Sequence, residues 1–182
     1  MRFSSSAGFL LVVFLSGCLT SKHVKRDSDN APIVTPVTPT GTRSRIFSKL
    51  IPIDRNDFVG FARTLLGIPY KYASAVPEKG LDCSGFIYYV FSHFNIRSPR
   101  SSVDFTNEGI TVSIQAARAG DIILFTGSDN SSGIVGHMGI VLQGGESFRF
   151  IHSSSGKAVG VVINTLSGYY KTHFVKVIRI LE

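Results

Sequence analysis

The chain has 182 residues, of which 43% are hydrophobic, and it carries a formal net charge of +7. This length holds one domain with a sizeable core, and no internal repeat indicates a solenoid or an array. The positive charge favours an anionic partner. Because the sequence has no groove-reading motif and no platform of aromatic and basic residues, nucleic acid is excluded as that partner.

Residues 1–17 have the pattern of a signal peptide. Arg2 precedes an apolar run at 9–15, which is too short to span a bilayer as a stable anchor. The tetrad Leu-Ser-Gly-Cys that ends at Cys18 resembles the bacterial lipobox, which implies cleavage before Cys18 and acylation of its sulfur. The next residue is leucine rather than the aspartate that retains lipoproteins at the inner membrane, so the resemblance implies the periplasmic face of the outer membrane. An ordinary secretory signal with an incidental cysteine is the alternative.

Residues 18–45 have the composition of a flexible tether, since they are polar and carry three interspersed prolines. Removal of residues 1–17 takes away Arg2 as the only charge, which leaves a net charge of +6. An anionic cell-wall polymer or lipid headgroups fit this charge in an exported protein, although basicity could also serve solubility alone. The folded domain is expected to span 46–182.

Two helices are expected at the start of this domain. Asp54 can cap the first, whose apolar positions repeat every three or four residues and which Gly67 ends. The second is expected to begin near Asp82 and to run to about Phe94, with apolar residues at helical spacing on one face.

Cys83 lies in the first turn of the second predicted helix. The positive end of a helix dipole or a neighbouring histidinium lowers the pKa of such a thiol from about 8.5. Ser84 and Gly85 are small, so a substrate carbonyl could approach their backbone amides, which would form an oxyanion hole. If Cys18 carries lipid, Cys83 has no disulfide partner in an oxidising compartment. These features favour a nucleophile over a buried, inert cysteine.

Short runs rich in β-forming residues, separated by Gly, Ser and Asn, follow the helices. The predicted strands are 121–125, 137–142, 148–152, 159–163 and 174–181. Helices followed by strands predict an α+β domain in which N-terminal helices pack on an antiparallel β-sheet.

His137 and His152 lie on two consecutive predicted strands with a short, Gly-rich connection. Strand parity and hairpin pairing bring both imidazoles to one end of the sheet. One histidine can then contact the Cys83 thiol while the other orients it, as in acyl-transfer enzymes. A zinc site made from the same three residues is the alternative, but no HExxH or paired CxxC motif supports it, so no metal or cofactor is expected. Solvated or capping roles are expected for His23, His93 and His173.

Six short motifs follow one another between about Asp54 and the C-terminus. They are LGIPY at 66–70, DCSGF at 82–86, PRSS at 99–102, GDIILF at 120–125, HMGIV at 137–141 and FIHSS at 150–154. Their order resembles the NlpC family of bacterial cell-wall cysteine peptidases. The resemblance implies a papain-like fold and a monomeric endopeptidase that hydrolyses amide bonds in peptidoglycan stem peptides during wall remodelling. Two bonds are candidates, the one between D-glutamate and diaminopimelate and the cross-link between D-alanine and diaminopimelate.

The resemblance also implies roles for individual residues. By position, Cys83 matches the nucleophile, His137 the general base and His152 the polar third member that orients the base. Tyr70 matches a tyrosine near the nucleophile, whose hydroxyl holds the oxyanion or the substrate.

Two further motif residues, Asp82 and Arg100, are expected to shape the pocket.

Two positions depart from the family pattern. Phe105 stands where members usually carry Gln, and Tyr72-Ala73-Ser74 replaces an aromatic residue followed by two glycines. Both departures are expected to lie near the substrate cleft and to affect the choice of bond rather than the chemistry.

Two other functional classes stay open at this point. The domain could be a cell-wall-binding lipoprotein without activity, or an amidase or acyltransferase on a related fold. The intact set of Cys83, His137 and His152 argues against a loss of activity.

Overall fold

The computed structural model describes residues 45–156 and 159–182. The predicted signal peptide, the predicted lipidation site Cys18 and the predicted tether up to residue 44 lie outside the described residues. Within the described part of the chain, none of the helices has the length and apolar character needed to cross a bilayer.

Two helices open the domain, and both begin where the sequence predicts. The first, α1, spans Arg55–Thr64, and the carboxylate of Asp54 caps it by accepting hydrogen bonds from two backbone amides of its first turn. It ends before Gly67, which turns the chain with a φ of 85°. The second, α2, spans Cys83–His93, and Asp82 caps it by accepting a hydrogen bond from the amide of the third helical residue.

The remaining elements are mostly strands. In chain order they are β1 Ala75–Val76, β2 Gly80–Leu81, β3 Ile110–Val112, β4 Ile122–Thr126, β5 Val135–Gln143, β6 Arg149–Ser154, β7 Gly160–Thr165, helix α3 Gly168–Thr172 and β8 Phe174–Arg179, with 3-10 turns at Pro77–Lys79 and Ser102–Asn107. Strands β1 and β2 form a small hairpin, and the other six form one sheet in the order β3-β8-β4-β5-β6-β7. All neighbours in this sheet are antiparallel.

The predicted α+β class and all five predicted strands are confirmed, and no strand boundary differs from the prediction by more than two residues. The sequence reasoning missed β1, β2, β3 and α3. Each of these elements has between two and five residues, which is too few to show a repeating hydrophobic pattern.

Hydrophobic side chains cover both faces of the sheet. Along β4, Ile122 and Leu124 join the cluster that contains the side chains of α1 and α2, whereas Ile123 and Phe125 join a second cluster on the other face. Burial on both faces explains why β4 is apolar throughout instead of alternating with polar residues.

The acidic residue that precedes β4 joins the first helix to the sheet. Asp121 is fully buried, and its carboxylate accepts hydrogen bonds from Arg55 at 3.0 Å and from Arg179 at 2.8 Å. Arg55 begins α1 and Arg179 ends β8. Because a buried carboxylate needs such partners, this motif residue holds the fold together at a distance from the cysteine.

Two helical glycines differ in their surroundings, which leads to a stability prediction. A Cβ added at Gly85 in α2 would overlap the carbonyl oxygen of Ser74, whereas one added at Gly60 in α1 would meet nothing within 4 Å. We expect Gly85→Ala to lower the free energy of unfolding by about 1–3 kcal/mol, because the backbone must shift. The matched control Gly60→Ala should raise it by about 0.5–1 kcal/mol. Urea unfolding measures both changes, and an equal effect of the two substitutions would contradict the packing argument.

Candidate active site

The thiol of Cys83 lies where the start of α2 meets strand β5. Its Sγ is 3.9 Å from the carbonyl oxygen of Gly136, the residue immediately before His137. Cys83 and His137 line the same cavity of about 690 Å³, together with Tyr70 and Tyr170. The packing of α2 on the sheet therefore brings the cysteine and the first predicted histidine into one cleft.

The two predicted histidines contact each other directly. His137 Nε2 and His152 Nδ1 are 2.7 Å apart, and the two rings meet edge to face. His137 is partly exposed to the cleft, whereas His152 is fully buried. Since His152 engages Nε2 of His137, Nδ1 is the nitrogen of His137 that remains for the thiol.

Close approach of β5 and β6 depends on Gly139. A Cβ at this position would lie 2.8 Å from the Ile151 carbonyl oxygen and 3.1 Å from the Cβ of His152. Glycine therefore lets the strand that carries His137 pack tightly against the one that carries His152.

The geometry does not favour the zinc alternative. The facing nitrogens of His137 and His152 are within hydrogen-bond distance of each other, so these two atoms cannot both coordinate one ion. Among residues 45–156 and 159–182, no group of three His, Cys, Asp or Glu side chains is arranged to hold a metal.

Two polar residues that the sequence analysis did not single out lie behind His152. Asn164 Nδ2 is 2.9 Å from His152 Nε2, and the Tyr170 hydroxyl is 3.3 Å from the same nitrogen. Asn164 pairs with Phe150 across β6 and β7, which puts it on the same sheet face as His152. A polar residue that directly follows the apolar run at 161–163 was a usable signal for Asn164. Tyr170 lies in the short α3, which gives no sequence signal.

Burial dominates the electrostatics of the thiol. Loss of solvent and then the negative charge of Asp82 raise the pKa of Cys83 to about 11, and nearby backbone amides offset this only in part. The predicted lowering of the pKa is therefore wrong, because the helix start is half-buried and its cap is a carboxylate.

Burial lowers the pKa of His137 to about 4. Burial and then the neighbouring His137 lower the pKa of His152 to about 3. The free site at neutral pH thus holds a neutral thiol and neutral imidazoles, so His137 is available as a base.

Alkylation of Cys83 provides a test of this protonation state. With a pKa of about 11, the thiolate fraction at pH 7 is about 10⁻⁴. We expect the rate of labelling by iodoacetamide to rise about tenfold per pH unit from pH 7 to pH 10. Mass spectrometry of the Cys83 peptide separates this signal from Cys18. A rate that reaches its plateau by pH 8 would contradict the raised pKa.

The residues after Cys83 do not act as the sequence analysis expected. The amide of Gly85 donates to Asp82 Oδ1 at 2.6 Å, so it is not free to hold an oxyanion. The missing side chain of Gly85 makes room for the Ser74 carbonyl and not for a substrate. The backbone amides that act on the sulfur are those of Ser84, Cys83 itself and Met138. Of the two amides predicted to form an oxyanion hole, the one of Gly85 is therefore ruled out, whereas the one of Ser84 stays a prediction.

Asp82 and Arg100 form an ion pair beside the cysteine. Arg100 Nη2 donates to Asp82 Oδ2 at 2.6 Å and Arg100 Nη1 to Oδ1 at 3.0 Å. Burial would raise the pKa of Asp82, but hydrogen bonds from Arg100 and from the Gly85 amide outweigh it and lower that pKa. The pair lines a second cavity of about 490 Å³, which also contains Cys83.

Tyr70 lines both cavities beside Cys83. A bridge between the backbones of Tyr70 and Leu81 holds it next to the start of α2. Burial, followed by the charges of Cys83 and Asp82, raises the pKa of the Tyr70 phenol. The hydroxyl is therefore protonated at neutral pH and can donate a hydrogen bond into the cleft.

A family model described as the NlpC/P60 family matches residues 67–179. The chain belongs to the NlpC/P60 family. A curated relative from Bacillus subtilis, Gamma-DL-glutamyl hydrolase, is 32% identical over 122 residues, which are 67% of this chain and 29% of that protein. Murein DD-endopeptidase MepS/Murein LD-carboxypeptidase from Escherichia coli is 30% identical over 118 residues, which are 64% of this chain and 57% of that protein.

Solved structures of the family are similar as well. A Staphylococcus aureus protein described as similar to a lipoprotein of the NLP/P60 family has a TM-score of 0.60 at 29% identity, covering 74% of this chain and 45% of that one. The matches therefore span less than two thirds of each of these three proteins. The likeness confirms the papain-like α+β fold that the six motifs imply.

The two departures from the family pattern have different surroundings. Phe105 is fully buried and packs near Phe47, with ring centroids 6.2 Å apart. It lines neither cavity that contains Cys83, so its side chain does not face the cleft. Ala73 does line the cavity beside Arg100, and its φ of 57° lies in the region that glycine adopts more easily. Only the Ala73 segment can therefore influence the choice of bond directly.

The remaining described histidines lie outside the site, as predicted. His93 is exposed in the last turn of α2 and stacks on Phe61, with ring centroids 3.6 Å apart. His173 follows α3 as its C-cap residue, and its ring hydrogen-bonds to the carbonyl of Tyr169.

Proposed function

We propose that this protein is a cysteine endopeptidase that hydrolyses amide bonds in the stem peptides of peptidoglycan in the bacterial cell envelope. The observation that carries this function is the cleft that contains Cys83 and His137, with the far nitrogen of His137 held by His152 at 2.7 Å. Membership of the NlpC/P60 family supports it. The names of the relatives, a glutamyl hydrolase and a murein endopeptidase, support the same substrate class.

The chemistry follows from the positions of these groups. His137 Nδ1 takes the proton of the Cys83 thiol as the sulfur attacks a stem-peptide carbonyl. The amides of Cys83 and Ser84, together with the Tyr70 hydroxyl, stabilise the negative charge on the carbonyl oxygen. The imidazolium of His137 then protonates the leaving amine as the C–N bond breaks. Water, deprotonated by His137, hydrolyses the thioester and regenerates the thiol.

The raised pKa of the Cys83 thiol and the lowered pKa of His137 both oppose proton transfer between these groups in the free site. A site that rests with a neutral thiol and a neutral imidazole transfers the proton only when the substrate carbonyl arrives. Substrate binding also excludes water, which strengthens the interaction between the developing thiolate and the imidazolium.

The cavities on either side of Cys83 suit an extended peptide. The cavity beside Arg100 and Asp82 is polar and charged, whereas the one beside His137 and Tyr170 is larger and more apolar. A stem peptide, with its carboxylates and amines, would pass through both as its scissile bond meets the sulfur. The candidate bonds are those between D-glutamate and diaminopimelate and between D-alanine and diaminopimelate.

Digestion of defined substrates tests the function. The protein is incubated with purified peptidoglycan and with cross-linked and uncross-linked stem peptides, and mass spectrometry identifies the fragments. Release at either candidate bond is the expected result. Activity on other amides or esters with no cleavage of any stem peptide would overturn the proposal in favour of an amidase or acyltransferase. Binding to peptidoglycan without cleavage would indicate an inactive wall-binding protein.

The proposal extends to the location of the protein. Residues 1–17 act as a signal peptide, Cys18 carries lipid, residues 18–45 form the tether, and residues 46–182 are a monomeric catalytic domain on the periplasmic face of the outer membrane. The lipobox-like tetrad that ends at Cys18 supports this arrangement. Cys18→Ala should move the protein from the membrane fraction to the soluble fraction after cell lysis. An unchanged distribution would argue against lipidation.

A further inference from the structure

A chain of polar contacts continues beyond the two histidines. His137 Nε2 meets His152 Nδ1 at 2.7 Å, and His152 Nε2 meets the carboxamide of Asn164 at 2.9 Å and the hydroxyl of Tyr170 at 3.3 Å. Asn164 and Tyr170 are themselves 3.4 Å apart. Both are partly buried, and neither is needed to explain the proposed chemistry at the sulfur.

Proton positions along this chain are interdependent. A neutral imidazole carries one N–H, so a hydrogen bond at one nitrogen decides which role the other nitrogen can take. For His137 Nδ1 to accept the thiol proton, the proton of the neutral ring must lie on Nε2. Nε2 then donates to His152 Nδ1, which must be unprotonated. His152 must in turn carry its proton on Nε2 and needs an oxygen there as acceptor.

Only two side chains next to His152 Nε2 offer such an oxygen in the structure, within the described residues. They are the carboxamide of Asn164 and the phenol of Tyr170. The two ends of a carboxamide have the same shape, so rotation by 180° exchanges oxygen and nitrogen at the position 2.9 Å from Nε2. With the oxygen there, Asn164 accepts from both His152 Nε2 and the Tyr170 hydroxyl.

The opposite orientation of the amide has the opposite effect. If the Asn164 nitrogen donates to His152 Nε2, the proton of His152 must lie on Nδ1. His152 then donates to His137 Nε2, and the proton of His137 is forced onto Nδ1. In that state His137 cannot accept the thiol proton, which is the wrong-tautomer defect known to disable hydrolases that rely on histidine.

We propose that Asn164 and Tyr170 are positioning residues that hold His152, and through it His137, in the tautomers in which His137 Nδ1 is the base. This role rests on the proposed peptidase function for its kinetic consequences, but the tautomers themselves exist in the free protein. In the exchanged orientation of the amide, the Tyr170 hydroxyl donates its proton to the Asn164 oxygen, at the position where Nδ2 otherwise donates to it. Its ring also packs edge to face on His152, with centroids 5.2 Å apart, which limits rotation of the imidazole.

Substitutions at Asn164 separate positioning from a merely structural role. Asn164→Asp places oxygen at both ends of the side chain, so an acceptor faces His152 in either orientation. Asn164→Leu removes the acceptor while keeping a similar volume. We expect Asn164→Leu to lower kcat on a stem peptide by about 10- to 100-fold with little change in KM. Asn164→Asp should retain activity, and its added charge should shift the acid limb of the pH–rate profile to higher pH.

Tyr170→Phe and a control on the same strand complete the series. Tyr170→Phe keeps the ring but loses the hydroxyl, so the orientation of the Asn164 carboxamide is less strongly fixed. We expect a smaller fall in kcat, of about 3- to 10-fold. Thr165 lies next to Asn164 on β7, is exposed, and contacts Ser167 instead of the histidines. The control is therefore Thr165→Val. It should leave kcat and the pH profile unchanged.

Nitrogen NMR of histidine-labelled protein tests the inference without substrate. At neutral pH in the wild type, His137 and His152 should each show a protonated Nε2 and an unprotonated Nδ1. In Asn164→Leu, both rings should shift towards a mixture of the two neutral tautomers. A wild-type His137 with its proton on Nδ1 would overturn the inference, as would unchanged shifts and unchanged kcat in Asn164→Leu. If Asn164→Leu does not fold, the spectra of the wild type and of Asn164→Asp test the inference, because both should show His137 and His152 protonated on Nε2. If the wild type cleaves no stem peptide, the peptidase proposal fails, while the NMR result still decides the positioning role.

Discussion

Cys83→Ala is expected to abolish digestion of peptidoglycan, with activity falling by about three orders of magnitude or more. The sulfur is the atom that would form the thioester, and alanine offers no nucleophile in its place. The fold should persist, because the substitution removes one sulfur atom at the edge of the core and a single long hydrogen bond, of 3.9 Å, to the Gly136 carbonyl. Cys83→Ser should be nearly as inactive, since a hydroxyl is a much weaker nucleophile than a thiol at neutral pH.

Release of soluble fragments from purified peptidoglycan measures this effect. Thermal unfolding by circular dichroism checks that the variants are folded. Ser92→Ala is a matched control in the same helix, where the hydroxyl is exposed and donates to the carbonyl of Tyr88 at 2.8 Å. It should keep full activity. Undiminished digestion by Cys83→Ala would remove this cysteine from the mechanism.

The second large effect is expected from His137→Ala, with a fall in kcat of about 10²–10⁴-fold. His137 faces the cleft and would exchange protons directly with the thiol and the leaving amine. His152→Ala should cost less, about 10- to 100-fold, because His152 acts through the hydrogen bond of 2.7 Å to His137 and water can replace part of it. The ranking of the two variants is therefore the prediction.

Initial rates on a stem peptide give this ranking. His93→Ala serves as the histidine control, because His93 lies at the exposed end of α2 and stacks on Phe61 outside the cleft. It should retain wild-type kcat. A larger loss in His152→Ala than in His137→Ala would exchange the two roles.

The elements that carry the site could be predicted because their signals are local. Asp54 and Asp82 mark the two helix starts through backbone hydrogen bonds within a few residues. His137 and His152 could be brought together because strand parity and a short connection leave few possible pairings. The six ordered motifs added what local patterns do not contain, namely the packing of the cysteine helix against this hairpin.

The electrostatics of the thiol could not be predicted from a helix start alone. A helix dipole lowers the pKa of a cysteine, whereas burial and the neighbouring Asp82 raise it, and here the latter two prevail. The extent of burial depends on how α2 packs on the sheet. The same packing decides that the Gly85 amide serves the helix cap and that its Cα faces Ser74.

The amino-acid sequence by itself determined the two helices, the five longer strands, the family and the three residues proposed for catalysis, because periodicity, capping and motif order are all written along the chain. Only the tertiary structure decided that Phe105 belongs to the core, that Ala73 borders the cleft, and that Asn164 and Tyr170 stand behind His152. These facts depend on contacts between residues that are distant in the chain or on different elements. Solvent exclusion and the direction of hydrogen bonds arise only when such residues are packed together.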